Sequence, residues 1–371
     1  MVSAKKILLV QLFSNGDCLY ATAVARQIKT DFPGCSLTWA IAESCRNIIS
    51  GNSYVDEVMV INGVKKDDVA AFRKLRRQFC KEKKQGNWDE VFVTHNMDSN
   101  LAYYDGTIRG MILRAYKQPI TVPVQPVLEL SADENNRVAL FAEQNKLAGF
   151  TNVILWEYAP LSGQSVLQFD LVMKLSQRLT QLSSTCILLS SANSFPATEK
   201  IIDASLLSIR ENAALTHYCS LLIGCSSGIT WLSTSSAAKA LPMVQLLNPD
   251  AVFLNAPSVD FKRYGIDDSN LIEITHIGEE TVYNCLRTVL EENFAIAKSK
   301  FNEALPLQFN TTQIIVYNLL CYLQFGAIAK HYKIMVSIYG RHPLFIRQFV
   351  LGIVTFPFKL AKNIWKKKIA R

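Results

Sequence analysis

Short apolar runs alternate with amphipathic segments along most of the chain. The runs are bounded by turn residues and rich in Ile, Leu and Val, a pattern typical of buried parallel strands. The predicted strands are Lys6–Gln11, Ser36–Ile41, Val55–Ile61, Trp88–Thr94, Asn152–Trp156, Thr185–Ser190, Leu221–Gly224 and Pro242–Leu247. Strands that alternate with helices predict βαβ units and an α/β fold.

Helical spacing of apolar residues fills the intervals between these strands. The predicted helices are Asp17–Lys29, Asp67–Cys80, Gln168–Leu182, Glu211–Cys219 and Thr230–Ala240. Prolines from Pro119 to Pro126 interrupt the pattern, and a helix starting at Ser131 leads to Leu147, after which the alternation begins again. We therefore expect two doubly wound Rossmann-like domains, at residues 1–130 and 151–290, facing a cleft.

The last part of the chain has a different pattern. Residues 300–371 are predicted as a helical extension, and near its end Leu360, Ile364, Trp365 and Ile369 form one apolar stripe surrounded by lysines. This pattern is typical of a helix that lies in a membrane interface. An ordinary C-terminal helix that packs one face on the protein is the alternative. The sequence has no uncharged apolar run of about 18 residues, so no spanning helix is expected.

Charge adds a possible partner to this picture. The formal net charge of the 371-residue chain is +8, and most of it comes from a basic run at Lys65–Lys84 and from the segment Lys359–Arg371. Two separate basic patches suit an anionic substrate or an anionic membrane surface. No nucleic-acid partner is expected, because basic and aromatic residues do not interleave along a predicted sheet.

The cysteines indicate the compartment rather than a site. There are nine of them, scattered and without CxxC or Cys/His ligand spacing. This argues against a zinc site and a disulfide framework, so we expect free thiols in a cytoplasmic protein and no metal site.

The first candidate site follows the first predicted strand. Asn15, Gly16 and Asp17 lie where ligands of doubly wound domains bind, at the carboxyl end of a strand. A carboxylate at that edge is well placed to accept a proton from a hydroxyl group. Alternatively, Asp17 caps the helix that follows.

The second candidate site is Gly224–Gly228, between a strand and a helix. Small residues with free backbone N–H groups at that position can form a phosphate cradle. It matches neither the Walker motif nor the GxGxxG motif, and a plain turn with a serine cap is the alternative. Two further candidates, His95 and Asn96, follow the fourth strand and would bind an acceptor or cap a loop.

Together the two loops resemble glycosyltransferase family nine, the heptosyltransferases. The segment from Lys5 to Asn62 resembles the family's start, with its Gly-Asp loop, Phe-Pro-Gly turn and Val-Asp-Glu-Val strand. The segment Leu215–Pro249 resembles the family's donor loop. The resemblance covers about residues 5–290 and implies a GT-B fold of two Rossmann-like domains.

The resemblance also implies roles for individual residues. Asp17 corresponds to the base that deprotonates the acceptor, with Asn15, Gly16, His95 and Asn96 on the acceptor side. The donor-side residues are Ser226, Ser227, Gly228, Ile229 and, near the nucleoside, Glu211. Such enzymes invert the anomeric centre in one displacement and need no cofactor beyond the nucleotide-sugar substrate, for which an ADP-linked sugar is one candidate.

The sequence departs from the family at three positions. Ser226 replaces an Asp, Trp231 replaces a His, and the stretch from Glu157 to Gln164 lacks the Lys that contacts the donor phosphate. A diphosphate leaving group needs positive charge or many N–H donors. The changes would be accounted for by backbone N–H groups alone, by the basic helix around Arg73–Arg77, by a different donor or by loss of activity.

The function expected from the resemblance is inverting transfer of a heptose-like or other sugar. The expected acceptor is a glycolipid or oligosaccharide of the lipopolysaccharide core or a related envelope glycan. The enzyme would work on the inner face of the cytoplasmic membrane, bound peripherally to anionic lipid through its C-terminus. The alternative is a catalytically lapsed GT-B homologue that binds nucleotide or glycan as a scaffold.

Overall fold

The fold contains two parallel β-sheets and a C-terminal group of helices. The computed structural model describes residues 4–159, 165–182, 184–191, 193–250, 256–303, 305 and 307–369, with side chains described as far as 362. The two sheets with their flanking helices confirm the α/β class and the two Rossmann-like halves.

The first sheet has four parallel strands in the order β3-β2-β1-β4. Its elements are β1 (Lys6–Val10), α1 (Asn15–Asp31), β2 (Ser36–Ala42), β3 (Glu57–Ile61), α2 (Val69–Lys84), β4 (Glu90–Val93) and α3 (Ile108–Ala115). The apolar run of β1 is buried on both faces of the sheet, as a central parallel strand requires. Helix α1 is buried over most of its surface, which explains its weak amphipathicity.

The second sheet has six parallel strands in the order β10-β9-β8-β5-β6-β7. Its strands are β5 (Asn152–Ala159), β6 (Thr185–Ser191), β7 (Ile201–Asp203), β8 (Leu221–Gly224), β9 (Met243–Leu246) and β10 (Leu271–Ile274). The helices of this half are α4 (Ala132–Gln144), α5 (Phe169–Leu179), α6 (Glu211–Leu215), α7 (Gly228–Leu232), α8 (Pro257–Tyr264), α9 (Glu279–Glu291) and α10 (Phe294–Phe301).

The C-terminal helices pack on the first half as well as on one another. They are α11 (Asn310–Cys321), α12 (Phe325–Tyr339), α13 (Pro343–Val354) and α14 (Phe356–Ile369). Phe345 of α13 is fully buried against Met335 of α12, so the extension has an apolar core of its own. In the described part of the chain no single helix meets the length and hydropathy needed to span a bilayer, whereas Pro343–Val354 with Phe356–Lys362 meets them only as a pair bent by 50°.

The candidate loops follow strands that lie beside the point where the strand order of each sheet reverses. In each sheet the strand order reverses at one point, between β1 and β4 in the first and between β5 and β8 in the second. Ligands of open α/β sheets bind at the carboxyl ends of the strands beside such a point. The loops after β1, β4, β5 and β8 therefore lie where a ligand of this fold is expected to bind.

The two halves are in direct contact close to these loops. Helix α1 of the first half packs on α7 of the second, and Tyr20 meets the ring of Trp231 edge-on with centroids 5.2 Å apart. Behind this contact Arg109 of α3 lies 3.1 Å from Asp260 of α8, and both side chains are almost fully buried. The position of one candidate loop relative to the other is thus fixed by packed side chains.

Candidate active site

Asp17 stands in the first turn of α1, at the carboxyl end of β1. Ser14 occupies the N-cap position with a positive φ of 68°, and its side chain makes no capping hydrogen bond. The Asp17 carboxylate is not the cap either; its Oδ2 accepts a hydrogen bond of 2.8 Å from the Asn96 side chain, which follows β4. The structure therefore joins two predicted site residues at the first switch point.

The environment of Asp17 raises the pKa of its carboxyl group into the neutral range. Burial raises the pKa of this carboxyl group from 3.8 to about 7, although the nearby Lys66 ammonium and the Asn96 hydrogen bond lower it. A base is most effective when its pKa lies near the working pH. Asp17 therefore has the pKa of a general base that is half ionised at neutral pH.

The other two residues of this loop lie beside the second half of the protein. Gly16 faces Trp231 of α7, and a Cβ atom at Gly16 would lie 3.9 Å from Cδ1 of the indole, an ordinary contact. Asn15 is half-buried, and its Oδ1 has no hydrogen-bond partner among the described residues. A buried polar atom without a partner is an acceptor available to a ligand hydroxyl.

The predicted role of His95 in binding an acceptor is wrong. Its imidazole is 2% exposed and packs against Phe13 and Phe72, and its Nδ1 lies 3.3 Å from the Gln11 side-chain amide. Burial lowers the pKa of His95 to about 3, so the ring is neutral. His95 is a core residue that supports the loop from below, because the chain turns its side chain inward while Asn96 points to the cleft.

The second predicted loop, after β8, has a tightly specified backbone. A Cβ atom at Gly224 would lie 2.5 Å from Oγ1 of Thr230 and 2.9 Å from the Gln245 amide, so only glycine fits. Ser226 has a positive φ of 58°, and its N–H donates to Oε1 of Gln245 at 2.8 Å. This hydrogen bond, with that of Thr230 to the same oxygen, fixes the loop from β9.

An internal carboxylate lies where the donor phosphate is expected. Glu157, near the end of β5, accepts hydrogen bonds from the Ser227 hydroxyl and from the backbone N–H groups of Ile229 and Thr230. Glu157 is 5% exposed. Burial raises its pKa to about 7 even though these three donors lower it. The N–H groups predicted to cradle a phosphate are therefore occupied by Glu157 in this structure.

Glu211 is placed differently from its predicted role beside the nucleoside. Its carboxylate is buried and accepts hydrogen bonds from Arg137 at 2.5 Å and from the Ser208 backbone N–H at 2.7 Å. Burial alone would raise its pKa, but the Ser208 N–H and Arg137 outweigh burial and hold the pKa below the usual value. A nucleoside would have to replace Arg137 to reach this carboxylate, so the structure argues against that contact.

Trp231, at the position where the family has His, fills the space between the halves. Its Nε1 donates to the Ser226 carbonyl oxygen at 3.3 Å, and the Arg109 guanidinium lies 5.5 Å from its ring centroid. Arg109 is 1% exposed, so it neither reaches an acceptor phosphate nor lies on a solvated face. Trp231 and Arg109 hold the two halves together beneath the candidate site.

Three residues in and beneath the candidate site are not indicated by the candidate motifs of the sequence: Glu157, Lys66 and Asp260. Glu157 had a signal, because a single acidic residue inside the apolar strand Asn152–Ala159 must find hydrogen-bond donors when it is buried. Lys66 and Asp260 have no such signal in the sequence. Lys66 lowers the pKa of Asp17 only because the fold brings the two charges near each other, and Asp260 pairs with Arg109, about 150 positions earlier in the chain.

This architecture is similar to that of a solved glycosyltransferase. The glycosyl transferase family 9 protein of Veillonella parvula DSM 2008 is similar with a TM-score of 0.54 at 15% identity, over 80% of this chain and 94% of that protein. The fold resembles that of glycosyltransferase family 9. At this identity the likeness establishes the fold, the GT-B arrangement of two Rossmann-like halves, and nothing finer.

Two further solved structures are similar at lower TM-scores. The E. coli heptosyltransferase WaaC with ADP has a TM-score of 0.44 at 14% identity, over 78% of this chain and 99% of WaaC. The spinosyn forosaminyltransferase SpnP has a TM-score of 0.46 at 12% identity, over 88% of this chain and 100% of SpnP. No protein-family model matches the sequence, and no curated protein matches it.

Proposed function

We propose that this GT-B chain is an inverting glycosyltransferase and that Asp17 is its base. The observation that carries the proposal is the environment of Asp17: a half-buried carboxyl group at a switch point, oriented by Asn96, with its pKa raised to about 7. A solvated helix-cap residue would have an ordinary pKa. This carboxyl group instead has the pKa and position that proton transfer from an acceptor hydroxyl needs.

The reaction would proceed as a single displacement. Asp17 takes the proton of the acceptor hydroxyl, and the oxygen attacks the anomeric carbon from the side opposite the leaving group. The bond from the anomeric carbon to the nucleotide phosphate breaks, and its electron pair leaves with the phosphate. Asn96 donates a hydrogen bond to Oδ2 of Asp17 and so orients the carboxylate. The other oxygen, Oδ1, is then the one that accepts the proton.

The donor would bind at the loop Ser226–Ile229 of the second half. Its phosphates need the N–H groups of Ile229 and Thr230, which Glu157 occupies. Donor binding therefore requires Glu157 to move aside or to become protonated, and a pKa of about 7 makes protonation accessible near neutral pH. The same loop can in this way accept a diphosphate although the stretch after β5 has no basic residue.

The acceptor and location follow from the chain's charge and its C-terminus. We propose a glycan acceptor of the lipopolysaccharide core or a related envelope glycan, made on the cytoplasmic face of the membrane. The basic segment Lys359–Arg371 and the exposed apolar residues Val354 and Phe358 favour contact with anionic lipid there. Deleting 343–371 should release the protein from anionic liposomes at moderate salt, and unchanged binding would contradict this location.

The experiment that tests the proposed function is a donor panel. Thermal shifts would be measured with ADP-, GDP-, UDP-, dTDP- and CMP-linked sugars on wild type and on Asp17→Asn. We expect one nucleotide class to stabilise both proteins, because Asp17 lies outside the donor loop, and slow hydrolysis of that donor by wild type alone. Absence of a shift with every donor would contradict the proposal.

A non-catalytic role as a nucleotide- or glycan-binding scaffold is the second candidate. The engagement of Glu157 and Glu211 with groups of the protein itself favours it, because Glu157 occupies N–H groups of the donor loop and Glu211 is predicted to meet the nucleoside. The two candidates differ in their response to Asp17→Asn: a scaffold keeps its binding and its biological function, whereas a transferase keeps its binding and loses its turnover.

A further inference from the structure

A basic pocket opens on the outer side of α2. It has a volume of about 600 Å³ and is lined mainly by cationic residues of this helix, together with a segment between α11 and α12. The principal lining residues are Arg73, Arg76, Arg77, Lys81, Lys84 and Tyr322. The pocket thus joins the first half to the C-terminal helices, and none of these residues belongs to the candidate active site.

Two of its arginines are held rigidly. Oδ1 of Asp98 accepts a hydrogen bond of 2.8 Å from Nε of Arg73, and Oδ2 accepts one of 3.3 Å from Arg76. Gln324 donates to the same carboxylate at 2.6 Å, and the Arg73 guanidinium lies 3.7 Å from the Tyr322 ring centroid. This wall of the pocket is therefore built before any ligand binds.

The remaining cations of the pocket are uncompensated. Arg77, Lys81 and Lys84 are exposed, and in the part of the chain that the structure describes none of them lies within ion-pair distance of a carboxylate. Their spacing of four and three residues puts them on one face of α2. Since Asp98 neutralises only part of the charge of Arg73 and Arg76, the pocket has a strong excess of positive charge.

An apolar rim borders this pocket. Leu323 and Phe325, next to Tyr322 and Gln324 of the pocket wall, are 74% and 63% exposed. Large apolar side chains with so much exposed surface, adjoining a cationic pocket, are unusual on a soluble surface and typical of an interface.

Helix α13 extends the rim. It runs alongside α11 in the same direction, because Gln348 contacts Gln313 and Gly352 packs on Val316. The end of α13 therefore lies towards the end of α11, where Leu323 and Phe325 follow. Val354, the last residue of α13, is at this end of the helix pair and is 57% exposed.

We propose that this composite face docks on a bilayer containing anionic lipids. Lipid phosphates would enter the α2 pocket, and Leu323 and Phe325 would insert between the headgroups. Charge complementarity and the adjoining apolar rim favour a lipid surface over a soluble phosphate, which would use the cations and leave the rim exposed. The proposal does not depend on sugar transfer, and it places the phosphate contacts on the first half of the protein rather than on 343–371 alone.

The test is co-sedimentation of the full-length protein with phosphatidylcholine vesicles, with and without phosphatidylglycerol. The pocket variant combines Arg77→Gln, Lys81→Gln and Lys84→Gln, all exposed positions. The matched control removes the same charge at exposed positions of the second half, with Lys146→Gln, Lys200→Gln and Lys262→Gln. A basic residue near an anionic surface contributes about fivefold to partitioning, so the pocket variant should bind about a hundredfold more weakly.

The apolar rim is tested separately. Leu323→Asn suits the positive φ of 56° at this position, and Leu206→Asn, at a residue 79% exposed in the second half, is the control. We expect Leu323→Asn to weaken vesicle binding and Leu206→Asn to leave it unchanged.

Three outcomes would overturn the proposal. One is equal loss of vesicle binding in the pocket variant and the charge-matched control, which would mean that only net charge matters. The second is wild-type binding that does not depend on phosphatidylglycerol. The third is a thermal shift with soluble glycerol phosphate that the pocket variant loses while its vesicle binding stays intact, which would assign the pocket to a soluble ligand.

Discussion

Asp17 combines a chemical advantage with a cost in stability. Its carboxyl group is half-buried, and burial raises its pKa to about 7. The unfolded chain, with a pKa near 3.8, loses this proton more easily than the folded protein does. Ionised Asp17 therefore destabilises the fold at pH 8, the penalty develops as the pH rises from about 4 to about 7, and it is absent below pH 4.

Asp17→Asn should accordingly stabilise the protein at alkaline pH. We expect a gain of about 2 kcal/mol in the free energy of unfolding at pH 8. This gain is smaller than the full pKa shift of Asp17 would give, because water reaches the half-buried carboxyl group. The gain should vanish near pH 4. Urea unfolding of both proteins across this range measures it, and an Asn variant that is less stable than wild type at pH 8 would contradict the assigned environment.

At the scale of single residues, the sequence predicted where site residues lie in the fold better than it predicted which way their side chains point. The pairing of Asp17 with Asn96 follows from two strand ends at one switch point, which a pattern of apolar runs reveals. The opposite orientation of the neighbouring His95 does not follow, because it depends on how the backbone turns after β4. The partner of Glu211 was not predictable either, since Arg137 lies on a helix whose packing the pattern leaves open.

Among the elements, the loop leading into α7 is the proposed donor-binding loop. Its N–H groups meet a carboxylate of the same chain, and a donor diphosphate would compete with Glu157 for them. Nucleotide sugars have no group that titrates between pH 6 and 8, so any pH dependence of their affinity in this range comes from the protein. Ionisation of Glu157 above pH 7 should repel the diphosphate.

We therefore expect wild-type affinity for the nucleotide sugar to fall as the pH rises from 6 to 8. Glu157→Gln should bind about tenfold more tightly at pH 8, because a like charge has been removed from the loop, and its affinity should not change with pH. Calorimetric titration measures both effects. Glu273→Gln, which replaces another buried glutamate that binds a serine at the start of α8, should behave as wild type.

The elements themselves were largely predictable. Strand β8 is where the pattern predicts it, and β1 and β2 differ from prediction by one residue at the end. The strands β7 and β10 were missed, because β7 has only three residues and the four-residue β10 is interrupted by Glu273. The segment from Gly278 to Lys300 forms two helices rather than one, since Asn293 caps α10 through the Ile296 N–H.

In the molecule as a whole, a buried ion pair joins the two halves. Arg109 and Asp260 come from different halves, and several of their polar atoms have no hydrogen-bond partner among the described residues. Burial raises the pKa of Asp260 to about 6, although Arg109 lowers it. Each charge is therefore tolerated chiefly because the other is present.

Arg109→Met should destabilise the protein by about 3–5 kcal/mol, since Asp260 remains buried without its cation. The double variant with Asp260→Leu should recover much of this loss. Arg287→Met breaks a half-exposed pair with Glu291 on α9 and should cost less than about 1 kcal/mol. Denaturant unfolding of wild type, Arg109→Met, Asp260→Leu and the double variant gives the coupling energy, and additive single losses would contradict an ion pair between the halves.

The sequence predicted the overall architecture but not this contact. Two α/β halves and a helical extension follow from the periodicity of apolar residues, whereas the predicted domain boundaries stay a prediction. Arg109 stands on α3 among apolar residues such as Ile108 and Met111, and it is buried with them. Its burial depends on α8 of the other half, and local pattern does not include that information.

The most direct test of the central claim is turnover of the donor that the panel identifies, measured for wild type and Asp17→Asn at pH 8. Saturating donor removes differences in binding. If Asp17 is the base, the rate should fall by about a hundredfold or more in the variant, as for loss of a general base, while donor affinity stays unchanged. Equal rates in the two proteins would show that Asp17 does not take the acceptor proton.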